Sequence, residues 1–144
     1  MPNLKWLYKD GVVSDLQPSQ AIHGFIYELE LADGTKYIGK KAFWSTTKKK
    51  FGKKRIAEIT DKRLKHYEMV IKESNWRGYL GSSKTIIKES IISKRILLLC
   101  RSKKELSYME TKLMFQFDVL GSKQYCNDNI NGTYFREEVE KWNQ

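Results

Sequence analysis

In Phe25-Ile26-Tyr27-Glu28-Leu29-Glu30-Leu31, apolar and charged residues alternate from Tyr27 onward, the period of a strand with one buried face. Ala32-Asp33-Gly34-Thr35 follows, with Asp-Gly at its centre, and Lys36-Tyr37-Ile38-Gly39-Lys40 returns as a second strand, so the pair reads as a β-hairpin. Residues 95–100, with the apolar run Ile96-Leu97-Leu98-Leu99-Cys100, predict a third, central strand. Ser102 with Glu105 three residues on is a capping-box pattern. It opens a helix over about residues 103–120 whose stripe is Leu106, Met109, Leu113, Phe117 and Leu120, with Gly121 as its C′ residue.

The middle of the chain reads differently. Residues 55–74 predict one helix with Ile56, Ile59, Leu64, Tyr67 and Ile71 on one side. The glycines and serines of residues 75–83 break it, and Ser82 or Ser83 caps a further helix holding Ile86, Ile87 and Ile91. Near the N-terminus, Tyr8 to Val13 suggests a short hairpin turning at Asp10-Gly11. The order is β-β-α-α-β-α, an α/β (α+β) domain with a small, mainly antiparallel three-stranded sheet flanked by helices. A chain of 144 residues favours one domain. Residues 1–20 read as an N-terminal extension, and residues 42–75 as a basic, partly helical insertion.

Charge sharpens this picture. Residues 36–65 hold twelve of the Lys and Arg residues and only Glu58 and Asp61 as acids, so this window carries the whole net charge of +10. Three readings stand: a solvated basic loop, a phosphate-backbone contact surface, or an anionic membrane surface, the last weakened by the lack of a large apolar face. No apolar run approaches the ~20 residues that span a bilayer, and no apolar export signal is visible. Cys100 and Cys126 are then expected as reduced thiols in cytoplasm, and with only His23 and His66 a zinc site is not expected.

Glu110 falls inside the apolar stripe of the last helix, where an unpaired carboxylate is costly and needs a cation partner. It is either a structural ion pair with a lysine or a ligand for Mg²⁺, an ion that completes its octahedron with water and phosphate. Tyr27 and Tyr37 lie on adjacent strands of the hairpin, where a tyrosine is most often packing. Gly39 weakens its strand unless another group must approach the backbone.

These residues carry a family resemblance. Phe25-Ile26-Tyr27 and Tyr37-Ile38-Gly39 resemble the motif that names the GIY-YIG nucleases, with Phe25 in place of the first glycine and Gly24 before it. Tyr79-Leu80-Gly81-Ser82-Ser83, Glu110 on a helix after the third strand, and Tyr125-Cys126-Asn127 resemble later elements of that family. Lys36 to Ser45 together with Glu73-Ser74-Asn75-Trp76 is similar to Seg-type endonucleases of tailed phages, and the likeness covers about residues 6–135.

The resemblance implies the GIY-YIG fold and a metal-dependent endonuclease acting on DNA, with RNA left open. The alternative is a catalytically degenerate nucleic-acid-binding protein of the same fold. Glu110 would bind Mg²⁺ or Mn²⁺, and Tyr27 would be the general base. Lys40 and Lys41 would lower the Tyr27 pKa and neutralise phosphate, and Tyr37 would orient the water. Asn127 would sit near the metal or hold Glu110. Substrate contacts are expected from Lys41, Lys48, Lys49, Lys50, Lys53, Lys54, Arg55, Arg63, Arg77, Ser82 and Ser83. The family's helix arginine has no counterpart at Thr47-Lys48, leaving Arg55, Arg63 or Arg77 to supply it. A monomer or homodimer in cytoplasm, host cytoplasm for a phage protein, completes the expectation.

Overall fold

A computed structural model describes residues 4–14, 16–61 and 63–143. Positions 1–3, 15, 62 and 144, which the N-terminal extension and the basic insertion include in part, lie outside the described residues. The hairpin anticipated from alternation is β3 (Gly24–Leu31) and β4 (Lys36–Ala42), antiparallel with Tyr27 opposite Gly39. Gly34 turns it with a φ of 90°, and Asp33 Oδ1 accepts from the Thr35 N–H at 2.9 Å.

The N-terminal hairpin is β1 (Trp6–Tyr8) and β2 (Gly11–Val12). Tyr8 pairs with Gly11, so the turn residues are Lys9-Asp10 rather than Asp10-Gly11, with Lys9 at φ 54°. The last long strand, β7 (Ile91–Cys100), begins where a helix through Ile91 was expected, and only a 3₁₀ turn at Lys88–Ser90 precedes it. β7 is the centre of a sheet in the order β2-β1-β7-β3-β4. The antiparallel set β7-β3-β4 is the expected three-stranded unit. The N-terminal hairpin widens it to five by a parallel pairing of β1 with β7. Trp6 anchors that pairing: it is fully buried, and its indole N–H donates to the Trp76 carbonyl at 2.5 Å.

Among the described residues of 55–74, the expected single helix does not form. In its place β5 (Trp44–Lys50) and β6 (Tyr67–Glu73) form a separate antiparallel ribbon, with the one-turn helix α1 (Lys53–Ala57) near its tip. Thr46, Thr47, Tyr67, Val70 and Ile71 favour extended backbone, and no partner surface rewards a helical stripe.

The helix α2 (Lys103–Gln116) starts as expected. Ser102 Oγ accepts from Glu105 N–H at 3.0 Å, and the Glu105 carboxylate accepts from Arg101 N–H at 2.8 Å. It ends earlier than expected. Asp118, at φ 50°, is the left-handed C′ residue instead of Gly121. Asp118 N–H reaches the Phe115 carbonyl and Val119 N–H the Met114 carbonyl, each at 3.1 Å, the paired bonds of a Schellman motif. A short pair, β8 (Asn129–Ile130) with β9 (Tyr134–Phe135), and α3 (Arg136–Trp142) complete the chain.

The sheet separates two cores. One face carries Trp6, Phe25, Tyr27, Leu29, Phe43 and Trp76, and the other packs Ile26, Ile38 and Cys100 on Leu106 and Met114 of α2. Phe25, where the motif's glycine would stand, packs its ring 4.9 Å from those of Trp6 and Phe43. Gly24 is the glycine this site needs. A Cβ there would collide with the Lys41 carbonyl and come 2.9 Å from Ala42 Cα. No cluster of three metal-binding side chains occurs among the described residues. No described helix is long and apolar enough to cross a membrane.

One buried cation lies in the first core. Lys94 on β7 is 1% exposed, donates to the carbonyls of Arg77 at 2.8 Å and Tyr79 at 3.2 Å, and sits 4.6 Å from the Trp6 ring. Burial lowers its ammonium to about 8. Replacing Lys94 with Ala removes the packed stem and leaves two carbonyls without a donor, for an expected loss of about 2–4 kcal/mol in urea denaturation. A loss under about 1 kcal/mol would show that the 77–79 segment does not depend on this side chain.

Candidate active site

The residues singled out from the sequence converge on one cleft of about 520 Å³. Tyr37 and Lys40 on β4, Glu110 on α2, Asn127, and the Ser82-Ser83 loop all line it. Each arrives for a local reason. Odd and even positions of β4 face opposite sides, so Ile38 enters the core under α2 and Lys40 follows it on the same side. Glu110 lies one helical turn from both Leu106 and Met114, which are buried. Glu110 is 8% exposed, and its carboxylate has the cation partner that its burial requires, the Lys40 ammonium at 3.8 Å. Burial still raises the Glu110 pKa above the ordinary carboxylate value, against the pull of Lys40.

Asn127 is 1% exposed and acts as a surrogate peptide. Its Oδ1 accepts from the Ile38 N–H at 3.1 Å, and its Nδ2 donates to the Ile38 carbonyl at 2.9 Å. The main chain before it pairs in the same way with Lys36, through Gln124 and Cys126 at 2.8 Å each. Asn127 therefore holds the Tyr37-Ile38-Gly39 strand in register and has no contact with Glu110 of the kind expected. Arg136 fixes this segment from behind, with Nε and Nη donors reaching the carbonyls of Asn127, Tyr125 and Val119. The sequence reading passed over Arg136 because nothing in its neighbourhood marks it.

Tyr27 is at the rear of the site. It is 1% exposed, and its hydroxyl fills the space that a Gly39 side chain would take. It shares a side-chain hydrogen bond with Tyr79. Near Tyr27, β7 holds one extra residue: Ile26 pairs with Leu98 but Tyr27 with Ile96, a bulge that re-aims the strand here. Burial, then Tyr37, Tyr79 and Glu110, push the Tyr27 phenol far above its ordinary value, the opposite of the expected lowering by Lys40. Tyr37 is half-buried, hydrogen-bonded to Ser82, and also raised, first by burial and then by Glu110. Of the two motif tyrosines, Tyr37 meets the cleft.

Only two of the expected substrate contacts meet at the cleft. Ser82 and Ser83 line the cleft. Lys41 is on the opposite face of β4, with its ammonium 4.2 Å from the Tyr79 ring. Lys48, Lys49, Lys50, Lys53, Lys54, Arg55 and Arg63 belong to the ribbon and its tip. Arg77 is committed elsewhere, to Glu73 at 2.9 Å and to the Ser14 carbonyl. Arg55 stacks on Phe51, and Arg63 pairs with Asp61 at 3.1 Å. None of the three candidate arginines lines the cleft. The site for a helix arginine at Thr47-Lys48 is itself strand β5.

Lys84, Thr85 and Asp128 are cleft residues that sequence reasoning missed, although each lies within two positions of a site residue it singled out. Thr85 Oγ1 donates to Asp128 Oδ2 at 2.9 Å, closing one wall. Lys88 fixes the loop above it through the Leu80 and Gly81 carbonyls at 3.0 and 2.9 Å.

The family model described as "Putative endonuclease segE, GIY-YIG domain" matches residues 6–130. No curated protein and no solved structure matches the chain. The matched span holds both hairpin tyrosines, the Ser82-Ser83 loop, Glu110 and Asn127, and it covers most of the chain. The chain therefore belongs to the GIY-YIG endonuclease family and is of its Seg type.

Proposed function

We propose that the protein hydrolyses phosphodiester bonds in DNA at the Tyr37–Lys40–Glu110–Asn127 cleft, with a divalent metal ion. The observation that carries this reading is Glu110, a buried carboxylate that opens into a polar cleft with Lys40 and Lys84 on its walls. One carboxylate with open space before it fits Mg²⁺ or Mn²⁺, which keep several waters and take further oxygen ligands from phosphate. Glu110 would hold the ion, which when bound polarises the phosphate and stabilises the departing oxygen.

The chain's own groups do the rest. Lys40, released in part from Glu110, neutralises a phosphate oxygen, and Lys84 and the Ser82-Ser83 hydroxyls position the backbone. Tyr37, which faces the cleft, holds the attacking water and accepts its proton. Tyr27 packs behind Tyr37, their ring centroids 6.3 Å apart, and fixes its orientation. Asn127 acts through the strand it holds.

A tyrosine held protonated by burial is a base only as pH rises. The cleavage rate is therefore expected to climb by about tenfold per pH unit between roughly pH 7 and 9. A flat profile over that range would remove tyrosine from the proton-transfer step.

The reading is tested on supercoiled plasmid with Mg²⁺, Mn²⁺ or EDTA. Nicking with metal and none with EDTA supports it. A second reading, a nucleic-acid-binding protein of this fold without catalysis, is favoured by the lack of an arginine among the described residues that line the cleft. Plasmid retarded on a gel but intact under every metal would establish that reading instead.

A further inference from the structure

The β5–β6 ribbon is larger than the cleft requires. Residues 44–74 carry ten Lys and Arg against four acids. Seven residues per strand reach about 24 Å at roughly 3.4 Å each. Most side chains of both strands are exposed, with only Trp44, Tyr67 and Val70 half-buried. The register puts Thr46, Lys48 and Lys50 on one face beside Ile71, Met69 and Tyr67. On that face Ile71 is 68% and Met69 53% exposed, and the Lys48 ammonium lies 4.6 Å from the Tyr67 ring. Lysine among bare apolar side chains suits a surface that is both anionic and able to cover methyl groups.

We propose that this ribbon is an arm that enters the major groove of B-form duplex DNA. The proposal rests on the nuclease reading only in taking nucleic acid as the substrate. The B-form major groove, about 12 Å wide, admits a two-stranded ribbon, and its thymine methyls accept apolar contacts. The deep, narrow major groove of duplex RNA does not admit one. An arm of this length spans about seven base pairs at roughly 3.4 Å each. Its lysines neutralise the flanking phosphates, and Thr46, Met69 and Ile71 meet base edges.

The ribbon's base is joined to both walls of the cleft. β5 begins four residues after Lys40, and the chain leaving β6 runs through Trp76 and Tyr79 to Ser82. Seating the arm therefore sets where along the duplex the cleft meets the backbone.

The test uses fluorescence anisotropy in EDTA with a duplex DNA of about 20 base pairs, its single strand, and duplex RNA of the same sequence. The proteins are the wild type, a variant with residues 47–70 replaced by Asn-Gly, and Lys48→Glu/Lys50→Glu, each checked by thermal melting. Dimethyl sulfate, which methylates guanine N7 in the major groove, reads groove occupancy. The wild type is expected to bind duplex DNA at least about tenfold tighter than duplex RNA and to protect N7. Both variants are expected to lose about tenfold or more in affinity, together with the protection.

Binding of duplex DNA within about threefold of wild type by both folded variants would overturn the arm, as would unprotected N7 or equal affinity for RNA. Plasmid nicking separates the two readings. Nicking with unchanged affinity in the variants removes the arm and leaves the nuclease. Ribbon-dependent N7 protection by a protein that never nicks supports the arm and removes the nuclease.

Discussion

Glu110→Gln will abolish plasmid nicking, by at least about a thousandfold, and will not lower the melting temperature at pH 7. The first half follows from the cleft. Gln keeps the shape but carries no charge to hold a divalent cation, and Asp128, the other carboxylate on the lining, is engaged by Thr85. The second half follows from linkage. Burial raises the Glu110 pKa in the folded protein, so the folded state binds this proton more tightly than the unfolded chain does. Stability from this group is then greatest at low pH and falls as pH rises from the unfolded value through the raised one. At pH 7 the ionised side chain opposes folding, and its neutral isostere removes that opposition while freeing Lys40, which is partly exposed. Full nicking by the variant would sink the assignment of Glu110. A large drop in melting temperature would show instead that Glu110 and Lys40 form a stabilising ion pair.

Gly39→Ala will unfold the site from within. A Cβ at this position would occupy the space of the Tyr27 hydroxyl and Cζ and come 3.0 Å from Cε1. Tyr27 has nowhere to retreat, because Trp6, Phe25, Tyr37 and Tyr79 all pack their rings within 6.3 Å of it. Overpacking of such a site costs about 2–4 kcal/mol, and displacement of Tyr27 would disturb Tyr37 and stop cleavage as well. Urea denaturation measures the first effect and plasmid nicking the second. Combining the change with Tyr27→Phe, which deletes the colliding oxygen, is expected to restore part of the stability. An unchanged unfolding midpoint in the single variant would show that the contact between Tyr27 and Gly39 is slack.

The central strand was legible as a continuous apolar run because both its faces are covered, and the hairpin and α2 because their apolar positions recur with the period of the element. Glu110 stood out for the same reason, as a charge inside an apolar stripe. The ribbon was not legible. A strand pair solvated on both sides imposes no period on its side chains, and Ile56, Ile59, Leu64, Tyr67 and Ile71 matched a helical spacing by chance. Asp118 ended α2 three residues before Gly121 because a short polar side chain also tolerates the left-handed region, a choice fixed by the bonds to Met114 and Phe115. The roles of the two tyrosines were equally hidden. Both lie on the face of the sheet opposite α2, and Tyr37 reaches the cleft because it stands on the edge strand β4, whereas Tyr27 on the interior strand β3 is covered by Trp6, Phe25 and Tyr79, which is a matter of tertiary packing.

The neck of the ribbon has a further consequence. Ser74 donates its N–H to the Phe43 carbonyl at 2.7 Å and its Oγ–H to the Ala42 carbonyl at 2.6 Å, so the excursion departs and returns at a single point. Trp44, which donates to the Ile22 carbonyl, and Glu73, which accepts from Trp76 and Arg77, still tie the neck to the core, and what lies beyond Thr46 and Ile71 is thermodynamically detached from what lies before it. Doubling the length of such a loop adds only about 0.6 kcal/mol of closure entropy, and the sheet and α2 do not sense its contents. Selection, or a protein engineer, can therefore lengthen, trim or exchange the segment between Thr46 and Ile71 as an interchangeable cassette on an unaltered chassis.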